Sequence, residues 1–254
     1  VPLIALGIAW IERKTPIRAS EPDRRLGGIL LGAGFAALAA DWIFARPGEG
    51  GFSSGLSLAT LSFVLLLWGL GAWFLGRCLM RTHRFCFALL ICMVPLPPSW
   101  VAAIEYLLQH ASSTTAYWLF QLSGLPVFRM GHLDFKLPGI TLDVAPECSG
   151  IQSTVALFVV SLAAGHLLLR SPKSRVLLSL AVIPFGILRN AVRIVTIGEL
   201  CVHIGPQMID SYVHRKGGWI FFLVALIPFI FLAFLLARAD RTAPSRHSSA
   251  EGLP

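Results

Sequence analysis

Apolar residues in this chain run on for long stretches instead of alternating with polar ones. Crossing the hydrocarbon core of a bilayer takes about 20 residues of helix. Six runs are long enough or nearly so: Gly27 to Phe44, Phe52 to Leu75, Phe85 to about Ile104, Ser149 to Leu169, Val176 to about Ile204, and Gly217 to Ala237. Pro95, Pro97 and Pro98 remove backbone donors from the third run and predict a kink or an end there. The Val176 run is longer than a bilayer requires and predicts a tilt. A further run, Val1 to Ile11, is too short to span alone and reads as the truncated tail of a span. It has neither the charged start nor the small-residue cleavage site of a signal peptide. The pattern predicts an all-α polytopic integral membrane protein with about six complete transmembrane helices.

One connection, residues 105–147, is long enough to build something outside the membrane. In its first part Ile104, Leu107, Leu108, Ala111, Trp118, Leu119 and Leu122 recur at helical spacing, with Glu105, Gln109, Ser112 and Ser113 on the other side. This predicts an interfacial helix lying on the outer leaflet. Further on, His132 to Leu137 and Ile140 to Val144 alternate. Leu133, Phe135 and Leu137 read as one face and Ile140, Leu142 and Val144 as another, with Pro138-Gly139 as a type II turn between. The connection is thus expected to be a small extracytoplasmic helix-plus-hairpin insertion. Residues 1–241 read as one transmembrane domain, and residues 242–254, rich in Ser, Pro and Arg, as a disordered tail.

Composition supports this map. Of the 254 residues 56% are hydrophobic and 13% charged, against about 25% charged in an average soluble domain, which excludes a water-soluble globule. The net charge of +8 does not form the basic stripe of a nucleic-acid binder, so the basic residues are read against membrane lipid. Their distribution orients the chain. Of 21 Lys and Arg residues, 14 fall in connections and the tail on one side, five on the other, and two, Arg189 and Arg193, inside a span. Positive charge favours the cytoplasm, so the tail is expected inside, and the 105–147 connection outside, of a cytoplasmic (inner) cell membrane.

Three segments carry chemistry. Ala145 to Ile151 stands where the outer connection enters the membrane, with Pro146 as at a first helical position and Cys148 in the first turn, where exposed N–H groups favour a thiolate. Glu147 beside it works the other way, and a small buried Cys at a helix end is the plainer reading. Arg189 and Arg193 are four apart and share a helix face. An intramembrane Arg costs roughly 2.5 to 3.5 kcal/mol even on the lenient scale and therefore points to function, although Arg193 is about 25 Å of helix rise beyond Val176 and could snorkel to the outer interface. His214 lies in the short outer connection before the last span. Topology brings Cys148, Arg193 and His214 to one outer face from three different spans. A thiolate nucleophile, a proton-moving imidazole and a fixed cation suffice for acyl transfer.

His203 near the outer end of its span is a rival base, His132 sits in the hairpin, and His166 reads as structural. A Cys148–Cys201 disulfide between neighbouring helices is the competing use of those thiols, while Cys78, Cys86 and Cys92 default to packing. No CxxC pair, zinc-type spacing, phosphate loop or paired-carboxylate pattern appears, so no metal or cofactor is called for.

These residues resemble the exosortase/archaeosortase family of multi-pass membrane cysteine transpeptidases. Glu147-Cys148-Ser149-Gly150-Ile151 is similar to its nucleophile motif, Asn190-Ala191-Val192-Arg193-Ile194 to its arginine motif, and His214 with Gly217-Gly218-Trp219 to its histidine motif, in the same order. The likeness extends to Pro95-Leu96-Pro97-Pro98, to Leu108 through Ser113 and to Gly124 through Val127. Val1 to Ile4 resembles a stretch that follows the family's first span, which implies residues missing upstream. Bacterial members often have Ala where Glu147 stands. The resemblance implies substrates that are exported proteins with a C-terminal sorting signal of PEP-CTERM type, and a setting near exopolysaccharide machinery. It implies Cys148 as nucleophile, His214 as general base and acid, and Arg193 as stabiliser of the thiolate or oxyanion, with Glu147, Ser149, Gly150, Arg189, Asn190, Gly217 and Gly218 in support. The alternative is a non-catalytic transporter or scaffold for polysaccharide or protein export, in which Arg193 pairs with an anion.

Overall fold

The computed structural model describes residues 1–12, 22–44, 52–144, 149–210 and 217–242. The tail beyond Thr242, whose disorder the composition predicts, lies outside them. Among the described residues five helices are long and apolar enough to cross a membrane: Arg24–Ile43, Leu56–Cys78, Ile151–Leu168, Pro172–His203 and Gly218–Thr242. A sixth span results if the broken pair Arg84–Met93 and Pro98–Ser123 is one crossing. The chain is an all-α polytopic membrane protein, as its apolar runs predict. It forms two compact units, Val1–Ala103 and Ile104–Pro254.

In the first unit, α1 (Pro2–Glu12), α2 (Arg24–Phe44) and α3 (Phe52–Leu70) are followed by a π-helical turn, Gly71–Leu75, and by α4 (Gly76–Thr82) and α5 (Arg84–Leu89). Glycines let α2 and α3 touch closely. A Cβ at Gly34 would come 2.9 Å from Leu66, and one at Gly69 would come 2.8 Å from Leu31. Such small-residue contacts substitute for hydrophobic driving force where the surroundings are already apolar. The buried Ser62 hydroxyl adds an interhelical bond to the Gly34 carbonyl at 2.8 Å. Asp23 caps α2 by accepting from the Leu26 amide at 3.0 Å, and it also accepts from Arg77 Nε. After a 3₁₀ turn, Leu90–Met93, the helix stops at the proline cluster, and α6 (Pro98–Ser123) starts on Pro98, a residue suited to a first turn.

Most of α6 belongs to the second unit, with a three-stranded antiparallel sheet and the helices α7 (Ile151–Leu168), α8 (Pro172–His203) and α9 (Gly218–Thr242). The sheet has the order β1 (Phe128–Arg129), β2 (Asp134–Leu137), β3 (Ile140–Asp143). The expected hairpin is present, turning at Pro138-Gly139 with Gly139 at φ +82° as a type II turn requires. Two expectations need correction. Phe135 pairs with Leu142 and Leu137 with Ile140, and residues directly opposite in an antiparallel pair share a face, so the two apolar sets line one side rather than two. Phe135, Leu137, Leu142 and Val144 form a core with Ala116 and Phe120 of α6 and Ala191 and Ile194 of α8.

The second correction concerns α6. Three of the four residues on its polar side, Gln109, Ser112 and Ser113, are buried and Glu105 is half-buried, while on the apolar side Leu107, Trp118 and Leu122 are exposed and Leu108 is buried. Gln109 donates to the Val144 carbonyl and Ser113 to the His132 carbonyl. An interfacial helix would have its polar side out; this one turns Gln109 and Ser113 onto protein backbone.

Candidate functional site

The buried stripe of α8 runs through Leu178, Val182, Gly186, Arg189, Asn190, Ile194, Ile197 and Cys201, spacings of three and four that keep one face inward. Two polar residues therefore fall on an otherwise apolar stripe. Asn190 has no exposed surface and Arg189 only 6%. Arg193, four residues further on, is half-buried.

Arg189 links the helix ends that meet on α8. Its Nη2 donates to the Gly218 carbonyl at 3.1 Å, at the start of α9. On its other side stands Gly150, the residue before α7, in the left-handed region at φ +73°. A Cβ there would lie 3.2 Å from Asn190 Cγ and Oδ1 and 3.3 Å from Arg189 Nη1. The Gly150 carbonyl accepts from both the amide and the hydroxyl of Thr154 at 3.0 Å, which closes the first turn of α7. Thr154 in turn fits against Gly186, where a Cβ would meet its Oγ1 at 2.7 Å. Ser149 and Gly217 are buried beside these contacts.

Arg189 Nε and Nη1 are buried and make no hydrogen bond among the described residues. Buried N–H groups of this kind are costly unless an anionic or carbonyl oxygen comes to them. The arrangement can hold an anion.

Of the residues singled out from sequence, Ser149, Gly150, Arg189, Asn190, Gly217 and Gly218 come together, with Arg193 one turn away on α8. Glu147, Cys148 and His214 lie outside the described residues; Cys148 directly precedes Ser149 in the chain, and His214 precedes Gly217 by three. His203 is exposed near the end of α8 and pairs with Glu199 at 3.1 Å, ten residues beyond Arg193. His132 engages the α6 clamp through its carbonyl. Cys201 is a buried free cysteine, and Cys148, its partner in the expected disulfide, lies outside the described residues. Gln109 was not singled out for this site, yet it grips Val144, the last described residue before the Cys148 segment. Its signal was a glutamine sharing a face with two serines in a helix otherwise fit for lipid.

The molecule is thus a multi-pass membrane protein with a charged site gathered from three helices. The family model of the transmembrane exosortases matches residues 1–231, and the chain belongs to that family. Neither the curated proteins nor the solved structures give a match.

Proposed function

We propose that this exosortase is a membrane cysteine transpeptidase or peptidase that removes C-terminal sorting signals of PEP-CTERM type from exported proteins at the outer face of the cytoplasmic membrane. The Cys148 thiolate attacks the carbonyl carbon of the scissile peptide, and its proton has passed to His214. The tetrahedral oxyanion is held by Arg193. When it collapses the C–N bond breaks, His214 gives its proton to the leaving amine, and the acyl group stays on Cys148. Attack by an amine completes transpeptidation, and attack by water completes hydrolysis. The work is expected beside exopolysaccharide assembly, with the C-terminus of the enzyme in the cytoplasm.

The observation that supports this most is the meeting of Ser149-Gly150 and Gly217-Gly218, sequence neighbours of Cys148 and His214, on the helix that carries Arg193. Guanidiniums on a membrane helix favour an anion nearby, and the reaction supplies a thiolate and then an oxyanion. The test is co-expression with an exported reporter ending in a sorting signal, followed by measurement of tail removal. Cys148→Ala is expected to lose on the order of 10³-fold or more of the cleavage rate while still inserting at wild-type level. Wild-type cleavage by that variant would overturn the reading.

A further inference from the structure

Away from this site, three groups of metal-ligating type converge in the first unit. Glu12 ends α1, His83 immediately precedes α5, and Cys86 lies in its first turn, so the three-residue spacing sets His83 and Cys86 on one side of the helix start. His83 Nδ1 lies 3.1 Å from Glu12 Oε2, and one ligand atom from each of the three residues falls within 4.8 Å of the others. His83 and Cys86 are buried and Glu12 half-buried.

We propose that Glu12, His83 and Cys86 bind one divalent transition-metal ion of zinc type through a carboxylate oxygen, an imidazole nitrogen and a thiolate. Oxygen, nitrogen and sulfur donors together suit a borderline-soft ion. Ligand bonds of about 2.0 to 2.3 Å put tetrahedral donor atoms about 3.3 to 3.8 Å apart, so the three groups close on an ion by side-chain movements on the order of 1 Å.

In the bound state the charges balance: the carboxylate and the thiolate formed on binding carry two negative charges, and a divalent ion with a neutral imidazole cancels them. On binding, the Cys86 S–H bond breaks, a sulfur–metal bond forms and the proton leaves to water; no electron is transferred. A half-open, almost wholly apolar groove of about 640 Å³ lined by Leu6, Gly71, Phe74, His83 and Cys86 adjoins the cluster. The bound ion would tie the end of α1 to the start of α5. The site is independent of the proposed catalytic reaction.

Full-length protein in detergent, stripped with chelator and titrated with Co²⁺, tests this. The expected result is a thiolate-to-cobalt band in the near ultraviolet with visible bands of tetrahedral intensity, saturating at about one ion per chain and displaced by Zn²⁺. Cys86→Ser should abolish the near-ultraviolet band, His83→Ala should weaken Co²⁺ binding by about 10-fold or more, and Cys148→Ser should leave the spectrum unchanged. A wild-type titration without that band, or its full persistence in Cys86→Ser, would overturn the proposal and leave Glu12 and His83 as an ordinary ion pair.

Discussion

Arg189 is the residue on which the helix ends converge, and its hydrogen bond to the Gly218 carbonyl is charge-assisted. Such bonds contribute about 1.5 to 3 kcal/mol, so Arg189→Ala should lower cleavage by roughly 10- to 100-fold. Arg189→Lys keeps the charge but not the planar fork and should recover only part of the loss. Cleavage rates at matched membrane levels check both. Gly150→Ala forces a Cβ into a left-handed backbone position, at about 1 to 2 kcal/mol, and against Asn190 besides. Its thermal unfolding midpoint in detergent should fall by several degrees. That Arg189 and Arg193 share a face was legible, because a four-residue spacing fixes it locally. The partner of Arg189 was not, since a backbone carbonyl 29 residues away in the chain leaves no mark in spacing or composition.

At the scale of elements, the spans were read from apolar length alone, which needs no tertiary information. Two helices contain an internal proline, Pro184 in α8 and Pro228 in α9, and remain continuous. The cluster at Pro95, Pro97 and Pro98 ends a helix. The number of missing donors in one turn separates these cases. The orientation of α6 was misread because the rule that polar residues face out assumes water on the outside. Here Gln109 with Ser113 turns inward to backbone carbonyls instead. β1 was missed because two residues are too few to show alternation. Gln109→Leu should leave the Val144 carbonyl buried without its donor, costing about 1 to 3 kcal/mol, and should lower both the unfolding midpoint and the cleavage rate. Leu107→Ala, on the exposed side of the same helix, should stay within about 0.5 kcal/mol. Thermal unfolding of the two variants side by side decides the helix's orientation.

For the whole molecule, the distribution of positive charge makes a topological prediction that the fold does not by itself contain. With 14 basic residues on one side against five on the other, a reporter fused after Thr242 should behave as cytoplasmic. Green fluorescent protein should fluoresce there and alkaline phosphatase should stay inactive. A membrane-impermeant maleimide should reach Cys148 from outside in intact spheroplasts. Labelling of Cys148 by a permeant reagent alone would invert the orientation or bury the thiol.

The way α6 holds the sheet has a wider consequence. Gln109 and Ser113 grasp main-chain oxygens at Val144 and His132, the two stems of the hairpin, and a carbonyl is the same whatever side chain its residue bears. Lys136, Thr141 and Asp143 point to the exposed side of the strands. The hairpin is therefore built like an interchangeable cassette, clamped by chemistry that does not depend on its outward sequence. Variants randomised at those three positions should fold alike, and related membrane scaffolds could diversify what the hairpin meets without rebuilding the helices that hold it.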